Sequence, residues 1–152
     1  MPELRSEYLF TISVAVDALH DVGGVPLGTR HIDVLGKGKF EGPRLKGEVL
    51  PGGMDMKTLR ADGAMNPNVR LVLKTDDGAL IFMHYTGVRH GSAEVMARIA
   101  QGEVVSPSEY YLRNTPYFET AAPKYDWLNR IVAVGVGRRM PDHAAYDVHE
   151  IL

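Results

Sequence analysis

Two carboxylates are the strongest candidates for acid–base chemistry in this chain. Asp55 directly follows Pro51-Gly52-Gly53, where two glycines let the backbone bend sharply. Its carboxyl could exchange a proton with a ligand, or it could cap the turn by accepting bonds from backbone amides. Glu119 follows Phe118 on an alternating stretch, so it faces the interior if Phe118 faces outward. An interior Glu119 would need a partner, such as Arg113, or a raised pKa, whereas a solvated or ion-paired glutamate is the alternative.

Three further side chains suit ligand binding. Trp127 offers a flat apolar surface and Asn129 two donors and an acceptor, although the tryptophan could instead plug one end of the fold. His84 could contact the ligand or be a satisfied core histidine. Because turns collect where ligands enter, we expect six residues to line one cavity. They are Asp55 and Glu119 as catalytic residues, and Trp127, Asn129, Arg113 and His84 as ligand-binding residues.

The composition argues against several other kinds of site. The chain has 152 residues, no cysteine and a net charge of −2, which excludes thiolate sites and does not indicate a nucleic-acid partner. The six histidines form neither His-x-His nor His-Glu-x-x-His, so we expect no metal. Gly-x-Ser-x-Gly and Gly-x-Gly-x-x-Gly are also absent, so we expect no cofactor. Arg138-Arg139 is interpreted as a solvated pair.

The sequence also predicts a cellular location. The first residues, MPELRSEYLF, lack a basic region followed by an apolar core, which a secretory signal requires. No run approaches the length of about 18 apolar residues that a membrane-spanning helix needs. We therefore expect a cytoplasmic protein with no membrane partner.

Short strands are predicted to position the candidate residues. The 16 glycines and 9 prolines interrupt stretches that alternate in polarity or are rich in β-branched residues. Strands are predicted over residues 7–16, 29–35, 38–50 with a break at Gly42-Pro43, 109–112, 116–120, 130–136 and 145–151. One helix is predicted over residues 93–101, because Ser92 can cap its start and Gly102 can end it.

The clearest hairpin covers residues 69–86 around Asp77-Gly78, a pair that suits a two-residue type I′ turn. That turn places Leu73 opposite Phe82, and Leu71 opposite His84. The predicted inner face is then Val69, Leu71, Leu73, Leu80, Phe82 and His84. Ile81, Met83 and Tyr85 fall on the other face. A slip of one residue would exchange the two faces of the second strand.

These elements predict a single all-β domain over residues 1–152. The favoured architecture is a closed antiparallel β-barrel of about eight to ten strands with one short α-helix, and a two-sheet sandwich is the alternative. The barrel is favoured because many strands carry bulky residues on both faces. A barrel of about eight strands can hold one small ligand.

The chain resembles a bacterial family of uncharacterised small proteins with a calycin-like β-barrel fold. The matching segments are GPRLKG (42–47), PGGMD (51–55), TDDGA (75–79), GVR (87–89), FET (118–120) and YDWLN (125–129). The resemblance implies a barrel that forms oligomers and implies no established reaction. Asp55, Glu119, Trp127 and Asn129 lie within the matching segments. Met56 stands where the resemblance leads us to expect an aromatic residue.

Three functions are compatible with these observations. The favoured one is a barrel that binds a small molecule without chemistry. The first alternative is a cofactor-free acid–base enzyme, such as an isomerase, cyclase or hydratase, and the second is a structural oligomer with a packed interior. A barrel fold hosts all three. We also expect a homo-oligomer, most simply a dimer, because residues 8–16 and 81–85 offer more apolar surface than one interior needs.

Overall fold

Ten antiparallel strands close into a barrel in the computed structural model, which describes residues 2–152. The strands are β1 (Ser6–Val25), β2 (Gly28–Glu41), β3 (Lys46–Val49), β4 (Gly53–Leu59), β5 (Met65–Asn66), β6 (Asn68–Thr75), β7 (Leu80–Gly91), β8 (Tyr110–Glu119), β9 (Val132–Arg139) and β10 (His143–Ile151). The predicted barrel is therefore confirmed. No α-helix in the described residues is both long and apolar enough to cross a membrane.

The barrel closes because β1 pairs with strands from both ends of the chain. Its first half pairs with β10, with Ile12 opposite Tyr146, and also with β2, with Ile12 opposite Phe40. From β10 the sheet continues through β9, β8 and β7 to β6, and returns to β2 through β3 and β4. Every pairing is antiparallel, so neighbouring strands along the chain are mostly joined by short turns.

Alternate residues of each strand fill the interior. On β8, Leu112, Asn114 and Phe118 are buried while Tyr111 and Tyr117 are exposed. Half of the barrel is packed with aromatic rings: the ring of Phe10 lies edge-on to Phe40 at 5.6 Å and to Phe118 at 6.0 Å between centroids. Such contacts leave little empty space in this half of the barrel.

The first hairpin is longer than predicted. The first strand was predicted to end at residue 16, but β1 continues through Gly23 and Gly24 and the chain turns at Pro26-Leu27. Gly23 adopts φ +90° where the β1–β2 register shifts, and the chain there bulges rather than reversing. β1 pairs with β10 only as far as Ala15, so residues 16–25 pair with β2 alone, and residues 29–35 of β2 pair on their other side with β4.

The predicted register of the β6–β7 hairpin is wrong by one residue. The Thr75 amide donates to the Ala79 carbonyl at 2.9 Å, and the Thr75 hydroxyl accepts from the Ala79 amide at 2.8 Å. The loop therefore has three residues, Asp76 to Gly78, with Gly78 at φ +88°. Three-residue hairpin loops place a glycine in this left-handed conformation. The observed pairs are Leu73 with Ile81 and Leu71 with Met83.

One end of the barrel is covered by a 3₁₀ segment, Pro123–Arg130. The buried Tyr125 donates its hydroxyl to the Asp77 carboxylate at 3.0 Å, and this ties the segment to the β6–β7 loop. A second 3₁₀ segment, Pro107–Glu109, precedes β8. The predicted helix is confirmed as α1 (Ala93–Ala100), with the Ser92 side chain accepting from the Val95 amide.

Candidate functional site

The barrel interior contains a cavity at the end opposite the Pro123–Arg130 segment. Its volume is about 40 Å³, and at roughly 10–15 Å³ for each water it has room for about three waters. Apolar side chains form about half of its wall. The lining residues are Val14, Val16, Asp33, Leu35, Asp55, Lys57, Met65, Pro67, Val69, Tyr85, Arg89, Leu112, Arg139, Ala144 and Tyr146.

Two aspartates come together on neighbouring strands of this wall. Asp33 on β2 pairs directly with Asp55 on β4, and Asp55 also pairs with Val69 on β6. Lys57 lies two residues along β4, on the same inner face, and its Nζ donates to Asp33 Oδ2 at 2.8 Å. Asp33 is only 4% exposed. The ion pair therefore neutralises one of two adjacent carboxylates inside the barrel.

The carboxyl of Asp55 is set up to gain and lose a proton near neutral pH. Burial raises its pKa from 3.8 to about 6, with a smaller upward effect from the Asp33 charge. The Asn68 amide, which donates to Asp55 Oδ1 at 2.9 Å, acts in the opposite direction, as do the charges of Lys57 and Arg89. A base whose pKa lies close to the working pH is the kind that proton-transfer enzymes use.

Two tyrosines face the aspartates across the cavity. Tyr85 on β7 and Tyr146 on β10 are both 4% exposed, and their rings meet edge to face at 5.2 Å between centroids. Burial raises the pKa of each phenol, and the Asp55 charge raises both further. Both hydroxyls therefore stay protonated at neutral pH. Because they also hydrogen-bond to each other, one hydroxyl proton of the pair is left to donate to a ligand oxygen.

Two arginines complete the polar part of the wall. Arg89 continues the inner face of β7, and Arg139 lies at the end of β9. Burial lowers the pKa of Arg89, and the neighbouring charge of Arg139 lowers it further. Arg139 Nη1 donates a hydrogen bond to the His143 carbonyl at 2.6 Å. Arg89 Nε, in contrast, is buried and has no hydrogen-bond partner within residues 2–152.

The arrangement can therefore move a proton and stabilise an anion in the same small space. Asp55 provides a base, the hydroxyls of Tyr85 and Tyr146 provide neutral donors, and Arg89 provides positive charge. The surrounding apolar wall strengthens these interactions because it lowers the local dielectric constant. In the described part of the chain, no three histidine, aspartate or glutamate side chains converge as a metal site would need.

The structure does not bring the six predicted site residues into one cavity, and this prediction is wrong. Of the six, only Asp55 lines the interior cavity. Glu119 and Asn129 instead line an open groove on the outside of the barrel. Glu119 points outward because Phe118 occupies the interior, the reverse of the orientation that the prediction required. Asn129 is bonded to both backbone groups of Thr120, with its Oδ1 accepting at 2.8 Å and its Nδ2 donating at 2.9 Å.

The other three predicted residues also lie away from the cavity. Trp127 packs against the core from the 3₁₀ segment, under the guanidinium of Arg44 at 3.5 Å. The 3₁₀ segment contacts the β6–β7 loop just beyond the end of β6 at Thr75, whereas the cavity is lined by Val69 near the start of β6. Six residues of strand correspond to about 20 Å, so Trp127 is far from the cavity. Arg113 lies on the outer face of β8, over the Tyr111 ring at 4.8 Å.

His84 is on the outer face of β7 because of the shifted hairpin register. Its Nε2 lies 3.0 Å from Asn68 Oδ1, and its strand partners are Arg70 and Tyr117. Partial burial lowers its pKa, and the Arg70 charge lowers it further. Met56 also faces outward, at 40% exposure, so it forms no part of the cavity wall.

Several cavity residues were missed by sequence reasoning, although some left a signal. Arg89 lies within the matching GVR segment and on the same alternation as Tyr85, so the correct β7 register would have placed both inside. Asp33 interrupts the apolar run of β2, which marks it as a buried charge. Arg139 was predicted to be solvated, but β9 ends with this side chain turned towards the cavity.

Comparison with known proteins adds a family to this geometry. An uncharacterised UPF0311 protein of Rhodopseudomonas palustris is 33% identical over 151 residues, 99% of each chain, and its crystal structure superposes with a TM-score of 0.97 over the whole of both chains. A β-barrel-like protein of Acinetobacter baumannii is 40% identical with a TM-score of 0.87, covering 100% of this chain and 98% of that one.

A further solved structure shares the fold alone. A crystal structure described as an enzyme from Penicillium herquei is 21% identical, with a TM-score of 0.71 over 97% of each chain. The model of the DUF3237 family, proteins of unknown function, matches residues 4–151. With this match over nearly its whole length, the chain belongs to the DUF3237 family.

Proposed function

We propose that the interior cavity is the active site of a cofactor-free acid–base enzyme that acts on a small carbonyl compound. One observation carries the proposal: the Asp55 carboxyl, with its pKa raised to about 6, shares a small cavity with two tyrosine hydroxyls and an arginine. Perturbed titratable groups that converge in a cavity are typical of active sites.

The proposed reaction is proton transfer at the carbon next to the carbonyl, as in an isomerase. The Asp55 carboxylate takes the proton from that carbon, and the electron pair moves onto the carbonyl oxygen to form an enolate. The hydrogen-bonded pair of Tyr85 and Tyr146 donates its free hydroxyl proton to that oxygen, and Arg89 stabilises its negative charge. The protonated Asp55 then returns the proton to a carbon, so the substrate gains and loses no atoms.

The test is deuterium exchange at carbon, followed by proton NMR in D₂O. The probes are pyruvate, hydroxyacetone and hydroxypyruvate, three small compounds with exchangeable C–H groups next to a carbonyl. We expect the protein to accelerate exchange in at least one probe, and the rate to rise with pH through about 6 as Asp55 ionises. Asp55→Asn should lower the rate about 100-fold or more, the usual contribution of a general base.

A matched control makes the same chemical change on the surface. Asp126 is exposed on the Pro123–Arg130 segment, at the far end of the barrel, and Asp126→Asn should leave the exchange rate at the wild-type value. Exchange at the buffer rate for all three probes would overturn the proposal. So would an Asp55→Asn protein as fast as the wild type.

Ligand binding without chemistry is the second candidate. It is favoured by the apolar half of the cavity wall, which includes Val14, Leu35 and Leu112. In that case Asp55 is a buried structural group, and a bound probe would raise the melting temperature without any exchange. A probe that binds but never exchanges would therefore favour this candidate over the enzyme.

A further inference from the structure

Two buried polar atoms on the cavity wall lack partners, and they differ in kind. Asp33 Oδ1 is an acceptor and Arg89 Nε is a donor, and neither has a hydrogen-bond partner within the described residues. Both side chains line the cavity. Buried polar groups are almost always hydrogen-bonded in proteins, so a pair left open in one cavity points to a ligand that supplies both partners. Such a ligand carries a donor group for Asp33 and an acceptor group for Arg89.

The charges on the cavity wall indicate that the ligand's acceptor group, the one bound by Arg89, is an anion. Lys57 is bound to Asp33, and this pair is neutral as a whole. The remaining charged groups are Arg89, Arg139 and Asp55, so positive charge is in excess. The charge of Arg139 lowers the pKa of Arg89, which shows that the two guanidinium groups lie close together. An anion placed between them and the apolar wall would relieve this repulsion.

The size of the cavity limits the ligand further. A volume of about 40 Å³ corresponds to about three waters. A three-carbon hydroxy 2-oxo acid has seven non-hydrogen atoms, so it would displace these waters and also push the cavity wall outward. The small volume therefore favours the shortest members of this class, since longer ligands would require a larger movement of the wall.

We propose that the substrate is a small 2-oxo acid that carries a hydroxyl group, its carboxylate held by Arg89 with Arg139 nearby and its hydroxyl donating to Asp33 Oδ1. This inference rests on the proposed function, because the oxo group is the carbonyl at which Asp55 acts. The carboxylate is inferred from the unpaired Arg89 Nε and the excess positive charge. The hydroxyl is inferred from the unpaired Asp33 Oδ1. A neutral hydroxy ketone would leave Arg89 without its partner, and a plain oxo acid would leave Asp33 without one.

Three probes separate these contributions because each differs from the next by one group. Hydroxypyruvate has the carbonyl, the carboxylate and the hydroxyl, whereas pyruvate lacks the hydroxyl and hydroxyacetone lacks the carboxylate. We expect kcat/KM for exchange to be at least 100-fold higher for hydroxypyruvate than for hydroxyacetone, and at least 10-fold higher than for pyruvate. Sites built to bond a polar group discriminate strongly against analogues that lack it.

Two variants assign the groups. Arg89→Met should lower kcat/KM for both pyruvate and hydroxyacetone, because each loses the stabilisation of its enolate. The loss should be at least 10-fold larger for pyruvate, because only pyruvate also loses the partner of its carboxylate. Asp33→Asn should reduce the preference for hydroxypyruvate over pyruvate. The comparison of probes on the wild-type protein does not depend on either variant folding.

The outcomes distinguish the inference from the proposed function. If Asp55-dependent exchange is as fast with hydroxyacetone as with hydroxypyruvate, the inferred substrate class is wrong and the proposed acid–base function still holds. If no probe exchanges faster than in buffer, the proposed acid–base function is wrong. Calorimetric titration of the Asp55→Asn protein then decides the ligand class separately: binding of hydroxypyruvate in preference to hydroxyacetone supports it, and equal or absent binding refutes it.

Discussion

The charge of Asp55 should destabilise the folded protein at neutral pH, and removing it should make the protein more stable there. In the folded state the carboxyl has a pKa of about 6, and on unfolding it returns to its ordinary 3.8. Below both values the carboxyl is protonated in either state and has no effect. Between them the folded state keeps a proton that the unfolded state has lost, so stability falls as the pH rises.

The size of this effect follows from the two pKa values. Above pH 6 the full cost is about 3 kcal/mol, of which about 2 kcal/mol develops between pH 4 and pH 7.5. Asp55→Asn has no titrating group, and its Oδ1 can still accept from the Asn68 amide. The variant should therefore gain about 2 kcal/mol relative to the wild type between pH 4 and pH 7.5.

Urea unfolding at pH 4, 5, 6 and 7.5 measures this difference directly. Asp126→Asn is the control of opposite sign: the bond from Arg130 lowers the pKa of Asp126, so its carboxylate stabilises the fold above its unfolded pKa and that stability is lost in acid. The control should therefore lose stability relative to the wild type as the pH rises. If Asp55→Asn and the wild type differ by the same amount at every pH, the argument that Asp55 is destabilised by burial is wrong.

Three further predictions concern the rest of the barrel. Asn129→Ala removes both bonds to Thr120 and should lower the free energy of unfolding by about 1 kcal/mol in urea, without changing exchange at the interior site. Gly135→Ala should cost about 1–3 kcal/mol in the same measurement, because its Cβ would lie 1.9 Å from Asn114 Oδ1; an unchanged midpoint would show that Asn114 can move aside. Light scattering should give the molar mass of a dimer for the wild-type protein. Leu80 is 56% exposed on the outer face, and Leu80→Glu should shift the protein to a monomer. A wild-type monomer at micromolar concentration would contradict this prediction.

The outer surface now offers a different argument for a dimer than the sequence did. The prediction relied partly on residues 81–85, but Ile81, Met83 and Tyr85 are buried inside the barrel. Exposed apolar side chains do occur on the outer face of β6–β8, at Val72 and Tyr117 among others. The homo-oligomer therefore remains a prediction, carried by these residues instead.

Local features were predictable wherever a few neighbouring residues decide the structure. Ser92 begins the helix because its side chain bonds an amide three residues ahead, and Gly78 takes the left-handed conformation in the hairpin loop. The class of fold followed from many short alternating stretches between turns. The relationship to the family was also visible in spaced segments of the chain.

The orientation of each strand depended on contacts that the sequence does not display. Both faces of β7 carry large apolar residues, so the period of two fits either orientation. The bond network of Thr75 and the three-residue loop select the one that buries Tyr85 and exposes His84. On β8 the alternation likewise allows either orientation. Phe118 packs against Phe10 in the interior, and the neighbouring Glu119 therefore points outward.

From the sequence one could predict an all-β fold, favour a closed barrel over a two-sheet sandwich, place the helix and the position of the β6–β7 turn, and single out Asp55 as a carboxylate of interest. Which residues accompany Asp55 in the cavity depends on contacts between distant parts of the chain. Asp33, Tyr85, Arg89 and Tyr146 come from strands that are distant along the chain and meet only because the barrel closes β1 onto β10 and β2. Burial, which raises the pKa of Asp55 and leaves Arg89 Nε unpaired, is likewise a property of the closed barrel and not of any one strand.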